Sequence, residues 1–300
     1  MSFLRSKPSR IIGVQIGTYS SKVVQLRYQS ERAVLETYGE LRNGKYLAHP
    51  ESAGGGGTLR YMDQDVISLL GDLLRESNTS AKEAVCVIPA TAAFITVISF
   101  PRSLGGEVAQ AIPYEARKYV PIPISEVILE WMMLDEVEAR EEIAVLLVAV
   151  PREAVEKFRR VVQGAGLNLR ALEVEPFSTA RSLVGQDPTP TLIVNMGHQT
   201  TTLTFVDRGL VRAVHTLGRG SQELTLALAR GLAVGDERAE AAKREVGLSE
   251  RIEEREIASV MGPLVETLLA EIGRVGLLYN RRAPRKIQRV VLTGGGAHLK

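Results

Sequence analysis

Three short glycine turns, each at the end of an apolar run, carry the residues suited to phosphate chemistry. Gly13-Val14-Gln15-Ile16-Gly17-Thr18 stands near the start, Val194-Asn195-Met196-Gly197-His198-Gln199-Thr200 in the second half, and Leu292-Thr293-Gly294-Gly295-Gly296-Ala297 near the end. Glycine lets consecutive backbone N–H groups converge on an anion. Around the first turn, Gly17-Thr18-Tyr19-Ser20-Ser21-Lys22 adds hydroxyls and a lysine; around the second, Gly197-His198-Gln199-Thr200-Thr201 adds hydroxyls, an imidazole and an amide. Thr18, Ser20, Ser21, Thr200 and Thr201 can donate to phosphate oxygens. Lys22 either adds positive charge there or is a solvated strand lysine. The spread of three phosphate-sized turns along the chain suggests a two-lobed nucleotide clamp.

No set of residues supplies a catalyst beside them. His198 and Gln199 either donate to a phosphate and orient a water or stand in solvent as polar turn residues. Glu175 is a candidate for positioning a water, not a general base. His49, His215 and His298 are isolated and no Cys/His ligand spacing occurs, which argues against a zinc site. No nucleophile elbow supports a Ser-His-Asp reading.

Those turns need elements to hold them. With 300 residues and 45% apolar composition the chain can bury two separate cores. Strands are predicted at 10–16 and 22–28, joined through 17–21, then a glycine turn at 54–57 and a helix over 63–77 with apolar residues at helical spacing. Strands follow at 84–88 and 93–100. From Pro101 the pattern changes to a helix over 106–119, the stiff turn Pro121-Ile122-Pro123, strands at 127–134 and 143–150, a helix over 152–163 and a strand at 168–174. That stretch reads as an inserted α+β subdomain over 101–175, between a first lobe at 1–100 and a second at 176–300. The second lobe repeats the hairpin with strands at 191–196, 201–206 and 210–216. Helices over 221–230, 236–246 and 253–279 then lead to a strand at 287–292.

Charge and cysteine usage narrow the classes. Thirty-seven basic and 35 acidic residues leave a net charge of +2, too little for a nucleic-acid groove without a local patch. Arg281, Arg282, Arg285, Lys286 and Arg289 form such a patch, read as either a solvated helix end or an anion site. The one cysteine, Cys86, lies in an apolar run and is expected to be a buried strand residue. A cytoplasmic location is therefore expected, with no apolar run long enough to span a bilayer and no signal-peptide pattern over 1–10. Phe3 and Leu4 beside Arg5, Lys7 and Arg10 form either a loose arm or a bilayer contact.

The hairpins with their Gly-Thr bends, the helix segment Ala239-Glu240-Ala241-Ala242-Lys243 and the turn Thr293-Gly294-Gly295-Gly296-Ala297 resemble the actin/Hsp70 superfamily. Ala111-Ile112-Pro113-Tyr114-Glu115-Ala116-Arg117-Lys118-Tyr119-Val120-Pro121-Ile122-Pro123, Leu146-Leu147-Val148-Ala149-Val150-Pro151-Arg152-Glu153 and Leu172-Glu173-Val174-Glu175-Pro176-Phe177 are similar, in order, to the PilM family of type IV pilus assembly proteins. The fold implied is α/β: two-lobed, actin-like (ribonuclease H-like) and nucleotide-binding, with the inserted subdomain.

The resemblance implies ATP as cofactor, with the two bends facing each other across a cleft. Glu240 and Lys243 would meet ribose and adenine, and Gly294, Gly295, Gly296 and Ala297 would pack against the base; an exposed i,i+3 pair is the alternative for Glu240 and Lys243. The family's magnesium-holding positions are normally acidic, whereas here they are Gln15 and Asn195. Amide oxygens can accept from a metal-bound water, so Mg²⁺ is expected to be weakly held and hydrolysis weak or absent. The implied partner is the N-terminal cytoplasmic tail of the inner-membrane protein PilN, received in a groove between insert and first lobe. Tyr119 and Ile122 are candidate contacts there, with packing of the insert core as the alternative. Other inner-membrane platform proteins would join through the assembly, leaving the chain peripheral to the membrane. The competing readings are an active actin-like ATPase or small-molecule kinase and a relative of the division protein FtsA. The family continues beyond its last glycine turn with a helix, strand and helix, so either the sequence is a fragment or the fold is incomplete, and in the second case apolar surface on the second sheet is expected to be bare.

Overall fold

Alternating apolar residues in β1 (Arg10–Ile16) put Ile12, Val14 and Ile16 on one buried face, and this period of two organises the first sheet. The computed structural model describes residues 9–47, 61–134, 142–249 and 251–300. The predicted glycine turn at 54–57, His49 and the arm residues Phe3, Leu4, Arg5 and Lys7 lie outside them. The chain divides into two compact units, Met1–Ser178 and Thr179–Lys300.

In the first unit β1 pairs antiparallel with β2 (Ser20–Gln29), which pairs antiparallel with β3 (Arg32–Arg42). On the other side β4 (Glu83–Ile88) runs parallel to β1, giving the order β3-β2-β1-β4-β8 once β8 (Asn168–Val174) joins parallel to β4. Two helices cover the buried face: α1 (Asp63–Glu76), through Val66, Leu69, Leu70 and Leu73, and α3 (Arg152–Gly164), through Val155, Phe158, Val161 and Val162. Asp63 clips them together, accepting from Lys157 Nζ at 2.7 Å and Arg160 Nε at 2.8 Å. Cys86 is buried in β4, and loss of water pushes its thiol up to about 12.

A separate three-stranded sheet has the order β5-β7-β6, from β5 (Phe94–Pro101), β6 (Val127–Leu134) and β7 (Glu142–Pro151). Its α2 (Val108–Ala116) buries Val108, Ile112 and Ala116 against Phe100, Val145 and Leu147.

The second unit repeats the first sheet's plan. β9 (Thr191–Met196), β10 (Thr201–Asp207) and β11 (Leu210–Leu217) form an antiparallel meander, and β12 (Arg289–Thr293) runs parallel to β9, in the order β11-β10-β9-β12. Into its face α7 (Arg255–Arg282) sends Leu268, Ile272 and Val275, while Phe205 and Tyr279 stack at 4.1 Å. A second small core joins α5 (Ser221–Gly231), α6 (Asp236–Val246) and α7 through Leu224, Leu228, Ala239 and Met261. Val290 and Leu292 of β12 are more than half exposed.

Four expectations change. β3 is not predicted, because an edge strand with both faces partly wet shows little alternation: Val34, Leu35 and Tyr38 are all exposed. β2 begins at Ser20 instead of Lys22, which shortens the first bend to 17–19. The helix expected over 106–119 is held to α2 by a preceding 3₁₀ segment with Gly105 at φ +47° and by the turn ahead of Pro121. Most consequential, the insert expected over 101–175 changes at both ends: β5, expected in the first lobe, belongs to the three-stranded sheet through its pairing with β7, whereas α3 and β8 belong to the first sheet's layers, because β8 completes a parallel pairing with β4 that sequence order does not reveal.

The basic cluster is partly consumed by structure. Arg285 Nη1 donates to Asp207 Oδ1 at 2.5 Å, and Arg289 Nη1 to Asp187 Oδ2 at 2.7 Å.

Gly39 is where the unpredicted strand meets α1: a Cβ there would lie 1.9 Å from Ser77 Oγ and 3.3 Å from Leu73 Cδ1. Gly39→Ala is expected to lower stability by about 1–3 kcal/mol, read from chemical denaturation midpoints, whereas Gly71→Ala, which meets nothing within 4 Å, is expected to cause no loss.

Candidate functional site

The first bend is held by backbone crowding and by one asparagine. A Cβ on Gly17 would lie 2.5 Å from Ser20 O, so the β1–β2 bend closes only around glycine. Asn43, 3% exposed at the end of β3, braces three points of it. Its Nδ2 donates to Gly17 O at 2.8 Å, its N–H to Tyr19 O at 2.9 Å, and its Oδ1 accepts from Ser21 Oγ at 3.1 Å. Ser21 is thus fully buried and engaged with Asn43, while Thr18 and Tyr19 remain partly exposed. The Arg42 guanidinium stands 5.7 Å from the Tyr19 ring centroid. Asn43 escapes sequence reasoning because its partners lie 22 to 26 residues away.

Gln15, expected near a metal, donates from Nε2 to Glu175 Oε1 at 2.7 Å. Glu175 opens α4 (Glu175–Leu183), directly after β8. Parallel pairing aligns Gln15 with Val87 and Val87 with Glu173, so Glu175 stands just beyond the carboxyl ends of β1, β4 and β8, where open α/β sheets commonly bind ligands. Among the described residues no group of three or more His, Cys, Asp or Glu is arranged to hold a metal ion. The side chains at Gln15 and Asn195 are neutral amides.

The second bend shows the same crowding. Gly197 N–H donates to Thr200 O at 2.9 Å, and a Cβ on Gly197 would lie 2.9 Å from that oxygen. Thr201 is fully buried and donates to Arg219 O at 2.8 Å. The first turn of α5 docks on the bend: Ser221 N–H donates to Gly197 O at 2.9 Å and Gln222 N–H to His198 O at 2.8 Å. Gln199 and Thr200 stay partly exposed.

The third glycine cluster packs onto this bend. Gly294, at φ +85°, would place a Cβ 2.5 Å from both Asn195 Oδ1 and Met196 O, and Gly296 one 2.9 Å from Met196 Cβ. Only residues without a Cβ allow that approach. Gly295 and Ala297 lie in the short 3₁₀ turn that follows.

Glu240 and Lys243 are not an exposed pair. Lys243 is 6% exposed, and its Nζ donates to Glu240 Oε2 at 2.5 Å, Thr225 Oγ1 at 2.8 Å and Ser221 O at 3.2 Å. Glu240 also accepts from Thr225 Oγ1 at 2.6 Å and Arg244 Nε at 2.8 Å. Burial acts to raise the Glu240 carboxyl, but hydrogen bonds from Lys243, Thr225 and Arg244 prevail and hold it at about 2. His198 feels the same pair: burial lowers its pKa, Lys243 lowers it further, and Glu240 acts the other way. The second unit therefore brings the second bend, the third glycine cluster and the α6 pair into one constellation.

In the first unit a cavity of about 360 Å³ lies between the small sheet and the first sheet. Trp131, Met132 and Leu146 line it from the insert, and Ile88, Glu173 and Phe177 from the first sheet and α4. β6, which supplies Trp131 and Met132, is an edge strand that among the described residues pairs only with β7. Tyr119 and Ile122 are not among the lining residues. Ile122 packs against the insert core because the turn between its two prolines folds it inward, and Tyr119 is 48% exposed elsewhere. Trp131 stands in an apolar strand, where a lone tryptophan reads as core.

The repeated meander with a parallel fourth strand, closed by glycine bends, is the actin-like fold. The solved structure of a PilM-PilN type IV pilus biogenesis complex aligns over 97% of this chain and 82% of that one, at 23% identity and TM-score 0.78. The ethanolamine utilization protein EutJ from Carboxydothermus hydrogenoformans aligns over 98% and 79%, at 20% identity and TM-score 0.58. MreB 5 of Spiroplasma citri, bound to AMPPNP, aligns over 98% and 87%, at 11% identity and TM-score 0.53. The family model for type IV pilus assembly protein PilM matches residues 13–300, and the chain belongs to that family. Among the described residues no helix is long and apolar enough to cross a membrane.

Glu240→Gln leaves the buried Lys243 ammonium without its counter-charge and is expected to cost about 3 kcal/mol. Glu240→Gln with Lys243→Met should recover most of that, measured by chemical denaturation as a double-mutant cycle. Because the folded carboxyl lies near 2 against an ordinary 4.5, its contribution is full above pH 4.5 and is lost as the pH falls toward 2. The stability gap between wild type and Glu240→Gln should therefore narrow over that window.

Proposed function

We propose that the chain is a cytoplasmic scaffold of type IV pilus assembly that binds ATP as a conformational ligand and docks the N-terminal cytoplasmic tail of PilN. The observation that carries the docking is the apolar cavity beside the open β6 edge in the insert. An extended tail adding to β6 would gain backbone hydrogen bonds while alternate side chains enter the cavity. A relative in this family is described as part of a PilM-PilN complex, which supports the choice of partner. Attachment to the inner membrane, and contact with other platform proteins, then come through that tail.

For ATP, the support is the glycine crowding at both bends and the packing of the third cluster on the second. Backbone N–H groups and the hydroxyls of Thr18 and Thr200 would hold phosphates, Gly294 to Ala297 would lie against the base, and Glu240 would face the ribose. The bound AMPPNP in the MreB relative fits this reading. Mg²⁺ would arrive with the nucleotide and be held by its phosphates, with Gln15 and Asn195 only accepting from its waters. Hydrolysis would be weak, because Gln15 is an amide and its N–H₂ engages Glu175, the acid available for positioning a water.

Calorimetry is expected to show ATP binding with phosphate release near background, and Gln15→Asp with Asn195→Asp should increase the Mg²⁺ dependence of binding. Steady Mg²⁺-dependent release that disappears in Thr18→Ala with Thr200→Ala would refute the weak-hydrolysis reading.

The chain's single tryptophan lines the cavity, so tail peptide should blue-shift its fluorescence. By anisotropy of a labelled tail, Trp131→Ala should lose about 2 kcal/mol of binding while Tyr119→Ala keeps wild-type affinity. Equal affinity in wild type and Trp131→Ala would place docking elsewhere.

A further inference from the structure

Ser20 and Lys22, two donors expected to meet phosphate, are both turned toward Glu40. Ser20 Oγ donates to Glu40 Oε1 at 2.5 Å, Lys22 Nζ donates to Ser20 Oγ at 3.0 Å, and Lys22 Nζ stands 3.3 Å from Glu40 Oε1. The sheet register explains the grouping. Gln15 is paired with Lys22 across β1 and β2, and Lys22 with Glu40 across β2 and β3. Directly opposed residues share a face, as do residues two apart on one strand. Glu40, Lys22, Ser20 and Gln15 thus project from one face of the sheet at the end where the first bend lies.

A hydroxyl and an ammonium converging on one oxygen is the donor set that recognises a phosphate oxygen. An ordinary exposed cross-strand ion pair needs only the lysine and carries at most about 1 kcal/mol. Here the carboxylate also holds the hydroxyl of a serine that is 4% exposed, so it satisfies a buried donor of the bend.

We infer that Glu40 is a built-in rival of the nucleotide's terminal phosphates: its carboxylate holds the Ser20–Lys22 donors, and a nucleoside di- or triphosphate gains them only by displacing it. This rests on the ATP reading above and adds a residue that tunes it. Glu40 makes affinity for polyphosphate weaker than the bend alone would allow. AMP, without terminal phosphates, does not compete for these donors.

The test is calorimetry with ATP and AMP on wild type, Glu40→Gln, Lys22→Ala and the double variant, each checked for a cooperative thermal transition. The Glu40 side chain is 57% exposed, so Glu40→Gln is expected to fold. Glu40→Gln should bind ATP about tenfold more tightly, the scale of one hydrogen bond to a charged group, and AMP as wild type does. Lys22→Ala should cost more ATP affinity in the Glu40→Gln background than in wild type, because only there is the lysine released. Equal ATP affinity in wild type and Glu40→Gln, or the same Lys22→Ala cost in both backgrounds, overturns the role of Glu40 and leaves the ATP reading standing. Failure of wild type and Glu40→Gln alike to bind ATP overturns both.

Discussion

The close approach of backbone to backbone at the glycine bends is the constraint on which the rest of the structure depends. At Gly17 and Gly197 a single added carbon would strike the carbonyl three residues on, and at Gly294 it would strike Asn195 and Met196. Because those turns are so tight, the strands on either side enter register at once: Ile16 pairs with Ser21 and Met196 with Thr201. From there each meander extends outward and a parallel strand, β4 or β12, closes the inner side. The same contact that makes the sheet gathers amide donors at its end.

Polar groups around the bends are engaged, and that engagement has functional weight. Asn43 takes up two carbonyls and a buried hydroxyl at the first bend, which holds the bend in one shape. On the second unit the buried Lys243 ammonium is tolerable only because Glu240, Thr225 and the Ser221 carbonyl surround it. That network ties α6 to the first turn of α5, which is itself bonded to the second bend. The α6 pair is therefore linked to the second bend through the α5 N-terminus.

The small sheet solves a different problem. One face buries α2 and forms a closed core, while residues facing the first sheet and α4 leave a gap of about 360 Å³. With β7 in the middle, β6 keeps an unshared edge beside that gap. An edge next to an apolar cavity is costly to leave bare, since it invites pairing with another chain.

Local pattern determined much of this protein from the sequence alone: the alternation in β1 and β9, the helical stripe of α1, the glycine bends and the order of elements through the insert. The neutral amides of Gln15 and Asn195 at the ends of β1 and β9 were equally legible, because they need only identity and position. Tertiary structure decided whatever depends on partners distant in the chain. Whether α3 and β8 belonged to the insert or to the first sheet turned on β8 pairing with β4 some 85 residues earlier. Whether Glu240 and Lys243 were solvated or enclosed turned on α5 lying against α6. Asn43, Glu40 and Trp131 each have an ordinary local sequence, and their surroundings come only from the strand or cavity brought beside them. Periodicity reports which face of an element is apolar, whereas pairing and enclosure are set by the free energy of the whole packed chain.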